Sequence, residues 1–274
     1  MSGEDPRQMA QLAARRVLQS LNIEAIDEID VEAIALFHRL FVIEGDLLGA
    51  EGRSVTHAGA GIIRIRADIK EVERRRFIIA HEIGHCLLHK TGSVKPCSEG
   101  DLFRYEDGNQ EAEANWFASE LLMPGRLLAR ACDIPEPTFT AVKQIAAACR
   151  TTLTATSIRF VQLTAERCCL VWSEGGKVKW AVRSPDFPAS IERGRTLSSF
   201  SHAADVFAGK SIPSGFQRTP QHAWLDRRVL GGCDVLEETL PFKRLRAALS
   251  MLWLPQDHDE DDRDDDDHDA RWRR

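Results

Sequence analysis

Apolar side chains that recur about every 3.6 residues predict that much of the N-terminal part of the chain is helical. The predicted helices span about 7–21, 31–40, 69–89, 111–122, 139–150 and 154–163. Asp30 stands directly before the second helix, where a carboxylate can accept hydrogen bonds from free backbone N–H groups. Pro124 and Gly125 follow the fourth helix and mark its end.

Alternation of apolar and charged residues indicates strands between the second and third helices. In Gly61–Arg66 the sequence GIIRIR predicts a half-exposed or edge strand. Residues 41–44 are expected to form another strand, and 54–57 the second arm of a hairpin that turns at 58–60. An edge strand can bind an extended peptide by β-augmentation, although Arg64 and Arg66 are also typical of an edge that resists pairing.

The pattern changes near residue 165. Residues 168–173 and 177–182 flank Glu174-Gly175-Gly176, which predicts a β-hairpin, and 249–254 is expected to be a final strand. Residues 184–232 contain turn-forming residues and few clear periods. We therefore predict an α+β fold, with a helix-rich domain over 1–165 that includes a small sheet and a β-containing domain over 166–255.

The charge of the chain is concentrated at its C-terminus. Residues 256–274 contain ten acidic residues and four arginines, which accounts for the whole net charge of -6. The remaining residues hold 32 basic and 32 acidic side chains, so the body lacks the basic excess of a nucleic-acid-binding protein. Such a tail is expected to be disordered, although it could also imitate nucleic acid or bind a basic partner.

Composition also limits the location of the protein. Apolar residues make up 43% of the chain, enough for a folded core, but no run approaches the roughly 18 apolar residues of a membrane span. The first residues lack the basic and apolar segments of a secretory signal. Seven cysteines without a C-x-x-C pair favour reduced thiols. We therefore expect a cytoplasmic protein without a membrane partner.

The sequence His81-Glu82-Ile83-Gly84-His85 is an H-E-x-x-H motif on the third predicted helix. Because four residues make about one helical turn, His81 and His85 point from one face and can bind the same zinc ion. Glu82 is placed to act as general base toward a water molecule. His89 lies a further turn away, beyond reach of the same metal.

A catalytic zinc site needs a third protein ligand, which the fourth predicted helix can supply. Glu111 is the first choice and Glu113 the second, because Glu111 shares a face with small alanines that permit close packing. Asn115, one turn after Glu111, could hydrogen-bond a ligand. Gly84 would let this helix approach closely. Tyr105, the only tyrosine, could stabilise an oxyanion or be an ordinary loop residue.

Two segments together resemble the ImmA/IrrE family of metallopeptidases. These are Arg75–His89 (RRFIIAHEIGHCLLH) and Glu111–Pro124 (EAEANWFASELLMP), which match both halves of the family pattern in order. The resemblance covers about residues 31–161. One departure is Ile78, where relatives often have threonine, and we expect it to have little effect.

The resemblance implies a zinc-dependent endopeptidase with a gluzincin-like core, in which the edge strand of a small sheet lies along the cleft. Carried over, His81, His85 and Glu111 are the metal ligands and Glu82 is the catalytic base. Mn²⁺ or Co²⁺ could replace zinc at such a His₂Glu site. The resemblance also implies cleavage of a helix-turn-helix repressor, which switches on stress or mobile-element genes.

Two alternatives remain at this stage. The chain could be a DNA-binding or metal-sensing transcriptional regulator, or an antitoxin-like binding partner with the same fold. Residues 142–150 and 151–163 imitate a helix-turn-helix, but the second helix and the residue before it offer only Arg150 and Arg159 as basic residues. Packing within the peptidase domain is therefore the preferred interpretation, and no direct contact with nucleic acid is expected.

Overall fold

The computed structural model describes residues 5–89, 110–225 and 234–255. Tyr105 and the acidic tail lie outside these ranges. The described residues form eight α-helices and two sheets, which confirms the predicted α+β class. The helices are α1 (Pro6–Ser20), α2 (Val31–Phe37), α3 (Val72–Leu88), α4 (Gln110–Leu122), α5 (Gly125–Cys132), α6 (Phe139–Cys149), α7 (Leu153–Leu163) and α8 (His202–Phe207). The strands are β1 (Leu40–Gly45), β2 (Gly52–His57), β3 (Ala60–Arg66), β4 (Cys168–Glu174), β5 (Lys177–Arg183), β6 (Gln217–Thr219), β7 (Val235–Phe242) and β8 (Ala247–Trp253).

The first sheet has the order β1-β3-β2, with β1 parallel and β2 antiparallel to β3. Gly61–Arg66 is therefore part of the central strand, and its prediction as an edge strand is wrong. The predicted alternation is correct, because Ile63 and Ile65 are buried while Ile62 and Arg64 are exposed. Alternation reports which face a side chain occupies and not how many strands flank it, so it could not reveal the strand order.

The predicted hairpin between β2 and β3 is present, with a tighter turn than expected. Ala58 and Gly59 both have positive φ angles, 49° and 78°. Two consecutive residues of this kind form the turn that matches the twist of the paired strands. The hairpin makes β2 an edge strand, and β2 contacts α3.

The second sheet is antiparallel, in the order β5-β4-β8-β7-β6. Every residue of its central strand β8 is buried. One face of the sheet, including Leu170 and Leu249, continues the apolar core of the helices. The other face, including Val171 and Leu252, packs against a smaller cluster around Trp224. The domain boundary near residue 165 stays a prediction.

The helix-turn-helix-like pair α6 and α7 is part of the core. The six consecutive residues Thr156–Val161 of α7 are all buried. Arg159 donates hydrogen bonds to the carboxylate of Glu120 and to the carbonyl of Met123. The pair therefore packs into the core of the described residues, and the expectation of no contact with nucleic acid stays a prediction.

Glu120 fixes the orientation of α4 within the helices. Its side chain is 1% exposed and forms ion pairs with Arg159 of α7 and with Arg15 of α1. A buried carboxylate with two charged partners is costly to disrupt, because removing one partner leaves an uncompensated charge. The three helices are thereby held in one arrangement, which positions the N-terminal turn of α4.

No helix in the described ranges is long and apolar enough to cross a membrane. The cysteines in those ranges, at positions 86, 132, 149, 168 and 169, form no disulfide. Burial raises the pKa of Cys132 and of Cys149 to about 11. Such thiols stay protonated at neutral pH and are poor nucleophiles.

Candidate metal centre

The absence of a side chain at Gly84 allows α3 and α4 to approach closely. A Cβ atom at Gly84 would lie 3.2 Å from Cα of Ala114 and 3.1 Å from Cδ1 of Phe117. Both neighbours are fully buried. The expectation that Gly84 permits close approach of another element is confirmed, and the approach brings the start of α4 to the H-E-x-x-H motif.

Three side chains converge between the two helices. Nε2 of His81 lies 3.0 Å from Nε2 of His85 and 3.2 Å from Oε2 of Glu111. The other oxygen of Glu111 lies 3.4 Å from Nε2 of His85. One nitrogen or oxygen from each residue lies within 4.8 Å of the other two, close enough for all three to bind one metal ion.

Asn115 orients the first histidine. Nδ1 of His81 lies 2.9 Å from Oδ1 of Asn115, and both residues are fully buried. Because the amide oxygen can only accept, Nδ1 carries the proton and Nε2 keeps its lone pair toward Glu111 and His85. This contact is the hydrogen bond that the spacing of α4 predicted for Asn115.

Glu111 is ionised at neutral pH. Burial alone would raise its pKa, but the adjacent imidazoles of His81 and His85 hold the pKa well below its ordinary value. A carboxylate must be deprotonated to bind a metal ion, so this environment suits a ligand.

Glu113, the second choice, points away from this cluster. Its Oε2 lies 3.8 Å from Nδ1 of His89, and His89 also approaches the carbonyl of Gln110. The structure therefore brings Glu111 to the two histidines and leaves Glu113 beside His89. His89 lies outside the cluster, as its spacing from His85 indicated.

Glu82 is buried against the edge strand β2. Its side chain accepts a hydrogen bond at 2.6 Å from Oγ of Ser54, on Oε2, and the residue is 2% exposed. Oε1 has no hydrogen-bond partner among the described residues. A Cβ atom at Gly52 would lie 2.9 Å from this Oε1 and 2.5 Å from Cγ2 of Ile78. Gly52 therefore leaves the space beside Oε1 open.

Sequence reasoning missed Ser54 and Gly52 as residues of the site. Ser54 lies 28 positions before Glu82, outside the motif and on a different type of element. Gly52 follows a glycine-containing stretch, in which nothing distinguishes it from a turn glycine. The hydrogen bond depends on how β2 packs on α3, which no local pattern records.

The site thus combines a helix with paired histidines, a second helix with a carboxylate, and a sheet whose edge strand contacts the glutamate. Residues 38–147 match the model of the peptidase M78 family, described as the IrrE N-terminal-like domain. This segment, less than half of the chain, therefore resembles the ImmA/IrrE family domain, as its two motifs indicated.

Two further similarities extend this result. The chain is 39% identical over 62 residues to an uncharacterized immunity region protein 2 of Bacillus phage phi105. That match covers 23% of this chain and 37% of the phage protein. The fold resembles a solved structure named as a Mycobacterium tuberculosis transcriptional regulator, with a TM-score of 0.55 and 14% identity. This structural match covers 90% of this chain and 76% of the other, so the shared architecture extends beyond residues 38–147.

Proposed function

We propose that the protein is a zinc-dependent endopeptidase that cleaves one specific regulatory protein. The observation that supports this most directly is the convergence of His81, His85 and Glu111 within 4.8 Å of one another. Two imidazoles and one carboxylate are a ligand set that catalytic zinc uses, with a further position left for water or substrate. The same set would accept Mn²⁺ or Co²⁺.

The side chains around the centre suit hydrolysis of an amide bond. Zinc, when bound, supplies Lewis-acid polarisation of the scissile carbonyl group. Ser54 holds Oε2 of Glu82, so the free Oε1 is oriented to accept a proton from the attacking water. Glu82 then delivers that proton to the nitrogen of the leaving amine. Metal binding alone would not require Glu82, so its presence favours an enzyme over a metal sensor.

The edge strand β2 provides a way to bind substrate. Among the described strands only β3 pairs with β2, so the far side of β2 has backbone groups available for an added strand. An extended peptide paired there would run beside Glu82. A folded substrate must therefore offer an exposed loop or unfold locally. The proposed strand for β-augmentation is therefore β2 and not Gly61–Arg66, because Gly61–Arg66 is central in the sheet.

The proposed substrate is a helix-turn-helix transcriptional repressor. The match of residues 38–147 to the ImmA/IrrE family supports this choice, because the family resemblance implies that role. The alternative of a DNA-binding regulator is less favoured, because Arg159, the one basic residue of α7, is buried in an ion pair. The name of the structural neighbour does not alter this, since 14% identity indicates only a shared fold.

Metal analysis tests the ligand set. The wild-type protein should bind one zinc ion per chain, and Glu111→Gln should lose it. Glu113→Gln is the matched control and should keep the metal, because Glu113 faces His89. Loss of metal in Glu113→Gln alone would show that the assignment of Glu111 is wrong.

Cleavage assays test the reaction. The metal-loaded protein should make one discrete cut in a helix-turn-helix repressor encoded by a neighbouring gene, and should leave casein largely intact. Glu82→Gln should retain the metal and lose this cut, because it removes the base and no ligand. A fully active Glu82→Gln variant would contradict the mechanism. Rapid digestion of casein with the repressor left intact would contradict the proposed specificity.

A further inference from the structure

The outer face of the first sheet is apolar and not covered by any described element. The strand registers place Phe41, Ile62 and Val55 side by side across β1, β3 and β2. These side chains are 54%, 48% and 54% exposed, respectively. The opposite face, with the buried Ile63 and Ile65, packs toward α3. A row of three large apolar side chains on one sheet face is typical of a surface that another element covers.

Two arginines lie in the next row of the same face. Arg53 on β2 is directly opposite Arg64 on β3, and both are exposed. The aliphatic part of Arg64 lies against Gly45 of β1. Neither arginine forms an ion pair within the described ranges, although Arg66 and Arg74 nearby both pair with Glu51. Like charges directly opposite on neighbouring strands destabilise a sheet. An anionic partner would remove that repulsion.

We propose that this outer face, formed by Phe41, Val55 and Ile62 together with Arg53 and Arg64, binds an acidic amphipathic helix of a partner protein. Three strands spaced about 4.8 Å apart span about 10 Å, which is the diameter of one α-helix. The apolar stripe of that helix covers the row of Phe41, Ile62 and Val55. Carboxylates along one flank of the helix pair with the two arginines.

Other occupants fit this face less well. Two copies of the chain packed face to face would bring the Arg53 and Arg64 pairs together, which adds like-charge repulsion. Single-stranded nucleic acid is bound by stacking its bases on several aromatic rings, whereas this row contains one phenylalanine beside an isoleucine and a valine. The combination of aliphatic surface and unpaired arginines favours a protein with an acidic, apolar segment.

A designed peptide tests the chemistry of the face without a known partner. The probe is a fluorescent helical peptide of about 18 residues, with leucines along one side and glutamates on both flanks. A matched peptide carries glutamine in place of every glutamate. The full chain should bind the acidic peptide at least about tenfold more tightly than the neutral one, and added salt should reduce the difference.

Substitutions on the protein then locate the binding. Arg64→Glu and Ile62→Ser should each weaken binding of the acidic peptide about tenfold. Arg244→Glu is the control, because Arg244 is exposed on another part of the chain, and it should change binding by less than about twofold. Arg64→Glu places opposite charges across β2 and β3, so its Tm should not fall. If the measured Tm is unchanged, a loss of binding in this variant is not a loss of folding.

Several results would overturn the proposal. Equal affinity for the two peptides, or equal weakening by Arg244→Glu, would show that the face does not select an acidic helix. Tighter binding of an oligothymidylate, lost in Arg64→Glu, would assign the face to nucleic acid. Binding that appears only after the carboxylates of residues 257–269 are neutralised would assign it to the chain's own tail. The measured quantity is peptide binding by residues outside the metal ligand set, so these outcomes are independent of the proposed peptidase activity.

Discussion

Glu238 on β7 connects the second sheet to the helical part of the chain. Its carboxylate accepts a hydrogen bond at 2.8 Å from the backbone nitrogen of Phe139, the first residue of α6. Only 6% of Glu238 is exposed. Burial raises its pKa, although the hydrogen bond from Phe139 and the charge of Lys143 act in the opposite direction. The folded state therefore binds a proton at Glu238 more tightly than the unfolded state does.

This shift predicts how stability depends on pH. An acid with a raised pKa in the folded state stabilises the fold at low pH, and that contribution is lost as the pH rises through its folded pKa. Glu238→Gln keeps an oxygen acceptor for Phe139 and removes the buried charge. Its Tm should exceed that of the wild type by about 2 °C at neutral pH, and the difference should vanish below about pH 4.

The control for this measurement is Glu136→Gln, because Glu136 is exposed and close to the same helix. It should leave the Tm unchanged at both pH values. A Glu238→Gln variant with a lower Tm at neutral pH would contradict the prediction. It would mean that the negative charge at the start of α6 stabilises more than its burial costs.

At this scale, the sequence predicted the side chains that belong to compact motifs. His81, Glu82 and His85 lie within five positions, and Asn115 follows Glu111 by one helical turn, so their faces follow from helical geometry. The sequence favoured Glu111 over Glu113 because Glu111 shares its helix face with small alanines, and the structure places Glu111 beside the two histidines. Ser54 could not be found at all, since its partner is distant in sequence.

At the scale of elements, the contact between α3 and α4 depends on Gly84. In an isolated helix, Gly84→Ala would stabilise by about 1 kcal/mol, because alanine has the higher helix propensity. In this fold the added Cβ would lie 3.2 Å from the backbone of Ala114, which cannot rotate away. We therefore expect Gly84→Ala to lower the Tm by several degrees and to lower the zinc content.

The matched control is Gly125→Ala, because Gly125 opens α5 and a Cβ atom there would approach only side-chain atoms, of Arg159 and Leu163, and no backbone. This variant should lose less stability and keep the metal. A higher Tm for Gly84→Ala with full metal content would show that α4 can move away without cost, and would contradict the role assigned to Gly84.

Prediction of the elements succeeded where apolar periodicity was local and strong. α3, α4, α6 and α7 match their predicted ranges closely. Helix α2 ends at Phe37 and not at residue 40, because Arg39 takes a left-handed conformation with φ of 59° and β1 begins directly after it. Strand β7 was not predicted. Its Glu237 and Glu238 are buried and accept hydrogen bonds inside the protein, and the sequence pattern does not record these contacts.

At the scale of the whole molecule, the two parts of the chain share a core. Leu170 and Leu249 of the second sheet lie in the same apolar cluster as Phe117 of α4 and Phe160 of α7. Near residue 165, helix α7 is followed by strands β4 and β5, while the predicted domain boundary there stays a prediction. Periodicity describes one element at a time, so it could not show that the second sheet packs on the helices.

The last prediction concerns residues 256–274. The body of the protein is neutral without them, and they contain a single aromatic residue, Trp272, with no apolar period. The final described contacts are made before this segment, where Arg167 donates hydrogen bonds to the carbonyls of Leu254 and Pro255. Removal of residues 256–274 should therefore leave the Tm nearly unchanged.

Two measurements make this outcome decisive. The Tm of the shortened chain should be compared with that of the full chain at low and at high salt, because ten carboxylates also alter long-range electrostatics. A drop of several degrees at both salt concentrations would show that the tail packs on the body and contributes to its stability. An unchanged Tm would mean that the fold is complete at the end of β8, where Arg167 holds the carbonyls of Leu254 and Pro255. It would also leave the outer face of the first sheet available to a partner, because a tail bound there would have stabilised the folded chain.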